Sequence, residues 1–236
     1  MKKRLTRFLP FLLAFTIALP SYSVFAEEEN QTKEPQTNET QANEATANDT
    51  LSLAAETAVL IDAASGEILY DKDADKKMYP ASITKLMTIL LALENGKLTD
   101  EITFSHDAVY NIEPGSAHIA ILEGETLTLE QVLRAIILRS ANEASNGVAE
   151  YVDGSVEAFA KHMTERAKEL GCTNTNFVNA NGLFDENHYT TAHDMALIAR
   201  ELLKHEEYRS MMSETDYEIP PTNLQTETRY LHGQHQ

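Results

Sequence analysis

Apolar residues recur along this chain in two rhythms, and each rhythm marks a kind of element. Glu56-Thr57-Ala58-Val59-Leu60-Ile61-Asp62 and Glu67-Ile68-Leu69-Tyr70 are short apolar runs separated by Ala63-Ala64-Ser65-Gly66. Two such runs around a small-residue turn predict an antiparallel hairpin. The rhythm then changes. Leu86-Met87-Thr88-Ile89-Leu90-Leu91-Ala92-Leu93 is apolar almost all round, which predicts a central, buried helix stopped by Asn95-Gly96. Thr128-Leu129-Glu130-Gln131 has the form of a capping box, and Leu129, Val132, Leu133, Ile136 and Ile137 then share one helical face. Ser155 is set to cap a third helix with Val156, Phe159, Met163 and Leu170 inward, ended by Gly171. A fourth starts at Thr191 and Asp194 and packs through Met195, Ile198 and Leu202. Beyond Lys204 the chain turns polar, and Ile219-Pro220-Pro221 excludes a helix there. No internal repeat is present. Early strands followed by several helices give an α+β class, with the expected return to strands missing.

The first 50 residues follow neither rhythm. Lys2, Lys3, Arg4 and Arg7 precede the apolar stretch Phe8 to Pro20, and Val24-Phe25-Ala26 offers small-residue cleavage before Glu27. Residues 1–26 thus read as an export signal, too short in its apolar part for a membrane span. No cysteine lies near the cleavage site to carry a lipid anchor. Residues 27–50 lack large apolar side chains and hold seven acids against Lys33, the composition of a disordered acidic linker. Residues 51–236 are long enough for one domain with a real core.

Charge narrows the partners. The net charge is −18, and loss of the signal's four cations takes it to −22. Such acidity argues against nucleic acid or an anionic membrane surface, although solubility alone accounts for it. Cys172 is the single cysteine, so no internal disulfide can form, and a buried thiol without a catalytic partner is expected.

The candidate chemistry sits at the mouth of the most apolar helix. Ser82-Ile83-Thr84-Lys85 sets a serine and a lysine three residues apart, on one helical face. A bare match at this spacing is weak, and a capping serine with a surface lysine would produce it. Lysine is unfavourable in a first turn, however, because the helix N-terminus is already positive. Followed by an apolar run, Lys85 is expected beside Ser82 in a poorly hydrated place that favours the neutral amine. That is the minimum equipment for an activated serine nucleophile. Ser140-Ala141-Asn142, at the end of the capped helix, is a second short motif, also compatible with ordinary capping. His118, His188 and His193 suggest no triad or metal site: the last two are five apart, and no H-E-x-x-H occurs. They are expected to be packing or surface residues.

From about Glu56 to at least Lys204 the chain resembles the low-molecular-mass penicillin-binding proteins, serine D-alanyl-D-alanine carboxypeptidases of the peptidase S11 family. The resemblance rests on Tyr79-Pro80-Ala81-Ser82-Ile83-Thr84-Lys85-Leu86-Met87-Thr88, on Gly124-Glu125, on Asn181-Gly182-Leu183, and on His188 to Ala196. S-x-x-K is the motif of that family and of serine β-lactamases. The resemblance implies the β-lactamase/transpeptidase-like fold, an antiparallel sheet with packed helices. It implies that Ser82 attacks the D-Ala-D-Ala bond of a peptidoglycan stem peptide, with Lys85 taking the hydroxyl proton. Ser140 would relay a proton to the leaving amine, and Asn142 would position the substrate amide or Lys85. β-Lactams would be covalent inhibitors, action would be extracytoplasmic, in the cell envelope or secreted, and no metal or cofactor is implied.

The family's third element, Lys-Thr-Gly on a late strand, has no counterpart here: Lys161, Lys168 and Lys204 precede neither Thr-Gly nor Ser-Gly. The chain therefore reads as truncated before that strand, with weak or no activity of its own. The family's usual C-terminal amphipathic anchor is not encoded in it. A degenerate, non-catalytic exported relative is the alternative. A β-lactamase fits less well, since no E-x-x-L-N is present.

Overall fold

The computed structural model describes residues 53–233, so the export signal expected over residues 1–26 and the linker expected over 27–50 lie outside the described residues. Strands β1 (Ala58–Ile61) and β2 (Ile68–Lys72) form the expected antiparallel hairpin, with Ala58 opposite Lys72 and a bulge between Leu60 and Ile61. The Asp62 carboxylate makes the turn, accepting the Ala64 and Ser65 backbone N–H groups at 3.1 and 2.7 Å.

Helix α1 (Lys85–Asn95) is the central element, packed against helices from four other parts of the chain. Its Met87, Leu90, Leu91 and Ala92 are wholly buried. Ser82 does not lie on α1: a 3₁₀ turn, Ala81–Thr84, precedes the helix. In a 3₁₀ turn residues three apart eclipse one another, so the change of helix type keeps Ser82 and Lys85 on one side.

Strand β3 (Glu101–Thr103), helix α2 (His106–Tyr110) and strand β4 (Thr126–Thr128) follow, with β3 and β4 paired antiparallel. Helix α3 (Leu129–Arg139) begins with the expected capping box, formed reciprocally by Thr128 and Gln131. Helix α4 (Asn142–Asp153) buries a run of mostly small or polar residues from Asn142 to Ala149, a composition without helical periodicity in its apolar positions. Helix α5 (Val156–Glu169) is capped by Ser155 and helix α6 (Ala192–Leu202) by Thr191, as their sequences imply.

The late chain departs from its reading as polar and strandless. Glu206–Met211 forms a short helix, α7, and strands β5 (Asp216–Ile219) and β6 (Arg229–His232) form an antiparallel hairpin. Pro220 and Pro221 exclude a helix, as argued, but they sit just after β5, where a missing N–H does no damage. The hairpin packs on α3 and pairs only with itself, so among the described residues β1 and β2 gain no further strand. Among those residues no helix is long and apolar enough to cross a membrane.

Candidate active site

Ser82 stands at the exposed N-terminal turn while Lys85, one turn on, is 4% exposed. The Lys85 Nζ donates to Ser82 Oγ at 3.3 Å and to the Asn181 carbonyl at 2.6 Å. Burial is the larger influence on this amine and lowers its pKa from 10.5 to about 8, with the Glu143 carboxylate opposing the change. At pH 7 about a tenth of Lys85 is then neutral, against less than about a thousandth for a free lysine. The amine can take a proton from the hydroxyl it touches.

A segment about a hundred residues away makes this arrangement. Asn179 accepts the Gly182 N–H at 2.7 Å, and Asn181 accepts the Leu183 N–H at 3.0 Å, which folds residues 179–183 into a tight turn. Two carbonyls of this turn face α1: that of Asn181 holds Lys85, and that of Ala180 accepts from Thr88 Oγ1 at 2.6 Å. The Asn181 amide donates to Asn146 Oδ1 at 3.1 Å, tying the turn to α4. Gly182 has φ +85°, and a Cβ there would lie 1.9 Å from the Ala81 carbonyl oxygen. Glycine is required by this close approach as well as by its backbone angle. Ala81, next to Ser82, itself has φ +48°, a strained value for alanine, and the turn presses against it.

Ser140 ends α3 in the left-handed region at φ 54°, and its Oγ is buried with no partner. It lines a cavity of about 570 Å³ with Ser82, Lys85 and the apolar Leu86, Ile136 and Leu138. Ser82, Lys85 and Ser140 are thus brought to one cavity. Asn142 is not among its lining residues. It is 4% exposed in the first turn of α4, and its backbone N–H donates to the Ala117 carbonyl at 2.9 Å.

Sequence reasoning assigned no role to Asn181, Gly182, Asn146 or Glu143. Asn181-Gly182 carried the one available signal, since an Asn-Gly pair marks a tight turn. His188 is 2% exposed and bonded to Thr84 Oγ1 at 2.8 Å, a packing role rather than a partner of Ser82. Cys172 is buried, and desolvation pushes its thiol up to about 12, which keeps it protonated.

Residues 40–232 match the family model of peptidase S11, D-alanyl-D-alanine carboxypeptidase. The chain is 43% identical over 161 residues to D-alanyl-D-alanine carboxypeptidase DacF of Bacillus subtilis (strain 168), covering 66% of this chain and 41% of that protein. It is 33% identical over 216 residues to DacA of Haemophilus influenzae, covering 89% and 51%. Among solved structures, penicillin binding protein 5 from Haemophilus influenzae superposes with a TM-score of 0.67 at 29% identity, over 76% of this chain and 52% of that one. DacD from Francisella tularensis gives 0.65 at 31%, over 70% and 41%. The chain spans about half the length, or less, of these relatives. The fold is the transpeptidase/β-lactamase type shared by these structures.

Proposed function

The chain belongs to the peptidase S11 family of D-alanyl-D-alanine carboxypeptidases, and from that premise we propose that it carries the acylating centre of a serine D,D-carboxypeptidase. Ser82 is the nucleophile and Lys85 its base. The neutral Lys85 amine takes the Ser82 proton as Oγ bonds to the carbonyl carbon between two D-alanines of a peptidoglycan stem peptide. The Ser82 backbone N–H, in the 3₁₀ turn that leads into α1, donates to the oxyanion that forms. Ser140, in the same cavity, relays the serine proton from Lys85 to the departing D-alanine nitrogen, and Asn142, outside the cavity lining, keeps the role of positioning the substrate amide or the Lys85 side chain. Water then hydrolyses the ester and frees the serine. A β-lactam undergoes the same attack, but its leaving nitrogen stays tethered, so the adduct lasts. With the expected export signal, this reading puts the reaction outside the cytoplasm.

The observation that carries the proposal is the Lys85 amine, nearly sealed from water, with a pKa drawn down to about 8, and 3.3 Å from a hydroxyl. A second reading, an exported relative that does not turn over peptide, has its own support: Asn142 is buried and does not line the cavity of Ser82 and Lys85. Saturating labelled penicillin, with mass mapping of the modified peptide and a parallel assay for D-alanine release, separates the cases. A lasting adduct on Ser82, lost in Ser82→Ala, is expected. Release of D-alanine distinguishes the carboxypeptidase from the relative that does not turn over. An adduct elsewhere, or none after prolonged exposure, overturns the assignment of Ser82.

A further inference from the structure

Next to the nucleophile, outside the cavity, stands a pair of exposed aromatic rings that the steps above do not use. Tyr79 and Phe184 are 59% and 75% exposed, and their rings meet edge to face with centroids 4.9 Å apart. Ile83, which follows Ser82, is also exposed and lines the Ser82 cavity, so apolar side chains stand before and after the nucleophile in the chain. Single exposed apolar side chains are ordinary on a protein surface. This pair differs, because both rings are carried on backbone that the site itself fixes. Met78 and Thr190 exchange two backbone hydrogen bonds, of 2.8 and 3.0 Å, which anchors the chain just before Tyr79. Phe184 follows Leu183, the last residue of the turn whose Asn181 carbonyl holds Lys85. Gly182 of that turn lies against Ala81, next to Ser82. Two segments remote in sequence thus bring one ring each to the same place beside the serine.

A linear substrate attacked at an internal carbonyl has two arms. On the proposed reading the departing arm lies toward Ser140, inside the cavity, and neither Tyr79 nor Phe184 lines that cavity. The acyl arm, which stays on Ser82, is left the outer side of the turn, where the rings stand. Exposed ring surface suits a methylene chain, since apolar area is covered on both sides and no polar group loses its water.

We infer that Tyr79 and Phe184 form a subsite for the acyl arm of the substrate, taking the aliphatic side chain of the residue that precedes the two D-alanines. The inference rests on Ser82 being the nucleophile and adds to that reading what the substrate must carry. Such a contact, made in the acylation transition state, contributes up to about tenfold in rate. It selects among acyl groups and leaves the chemistry at Ser82 unchanged.

Two penicillins provide the test. Benzylpenicillin carries an apolar substituent on its acyl side, and 6-aminopenicillanic acid is the same ring system without it. Acylation of the whole chain is followed by mass spectrometry. In Phe184→Ala and in Tyr79→Ala the second-order rate constant for benzylpenicillin is expected to fall about five- to tenfold, and that for 6-aminopenicillanic acid less than about twofold. Phe184→Leu, which keeps apolar area, should retain most of the benzylpenicillin rate. A merely structural role would slow both probes alike. Equal slowing of both, or no change in either, overturns the inference. If neither penicillin acylates the wild type, the assignment of Ser82 fails and binding alone judges the subsite. In Ser82→Ala labelled with ¹³C-phenylalanine, the Phe184 ring signal, assigned through Phe184→Leu, is then the readout. It is expected to shift with a peptide carrying norleucine before D-Ala-D-Ala and to stay in place with glycine there. A signal that neither peptide moves overturns the subsite, so the two failures are distinguishable.

Discussion

Two bases near the nucleophile, Lys85 and His188, are held below their ordinary pKa by the same cause. Each is almost wholly out of water, where the charged form loses hydration. For Lys85 this is chemistry in waiting; for His188 it is a stability term. Val178 donates its N–H to His188 Nδ1 at 3.1 Å, so the ring's proton sits on Nε2 and is donated to Thr84, one residue before Lys85. Burial pushes this histidine down to about 4, with Asp185 only partly opposing it. An unfolded histidine binds its proton near pH 6.5, so acid favours the unfolded chain first. The contribution is intact above pH 6.5 and is lost as pH falls toward 4, by about 3 kcal/mol in all. Urea unfolding of wild type and His188→Gln between pH 7 and 4.5 should therefore show a steeper loss in the wild type. Equal slopes would mean that His188 does not carry the acid sensitivity.

At the scale of elements, the site depends on a turn and two helix ends. The 179–183 turn presents carbonyls to α1, and α3 stops with Ser140 in a left-handed conformation beside α4. Gly182 makes the first contact possible. Gly182→Ala is expected to cost about 3 kcal/mol or more, since it combines a positive φ with a clash against backbone. Gly115→Ala is the matched control: its φ is +82°, nearly the same, but nothing lies within 4 Å of the added Cβ. That variant should cost only about 1 kcal/mol. Denaturant midpoints compare the two, and equal losses would deny that the approach to Ala81 matters. The capping box of α3 and the caps of α5 and α6 were legible in the sequence because they are local chemistry. Helix α4 was not, because its buried face is made of Asn142, Ser145, Asn146 and small residues that carry no apolar rhythm.

Across the molecule, the C-terminal hairpin is held by ion pairs to distant elements. Arg134 of α3 grips Glu214 with two bonds of 2.7 and 2.9 Å and stacks over the Tyr217 ring. Arg229, at the start of β6, donates to the wholly buried Glu125 at 3.1 Å, which also accepts from Thr222 and the Leu122 N–H. Breaking such a pair from one side strands a charge. Arg229→Met should cost about 3–5 kcal/mol, and Glu125→Gln in the same chain should recover a substantial part of it. Strict additivity of the two losses in chemical denaturation would show that the pair is not coupled. Neither partner announced this role in the sequence, where they stand 104 residues apart.

The chain's own order of residues determined the hairpin, the helix faces and their caps, and the side-by-side placement of Ser82 and Lys85. All of these depend on neighbours within about one or two turns, whose geometry the backbone repeats. The tertiary structure alone decided that the second partner of the Lys85 amine is the Asn181 carbonyl, and that Ser140 shares its cavity with an oxygen left unsatisfied. Those features are differences in hydration and charge created where remote segments meet, and a local pattern does not encode which segments those will be.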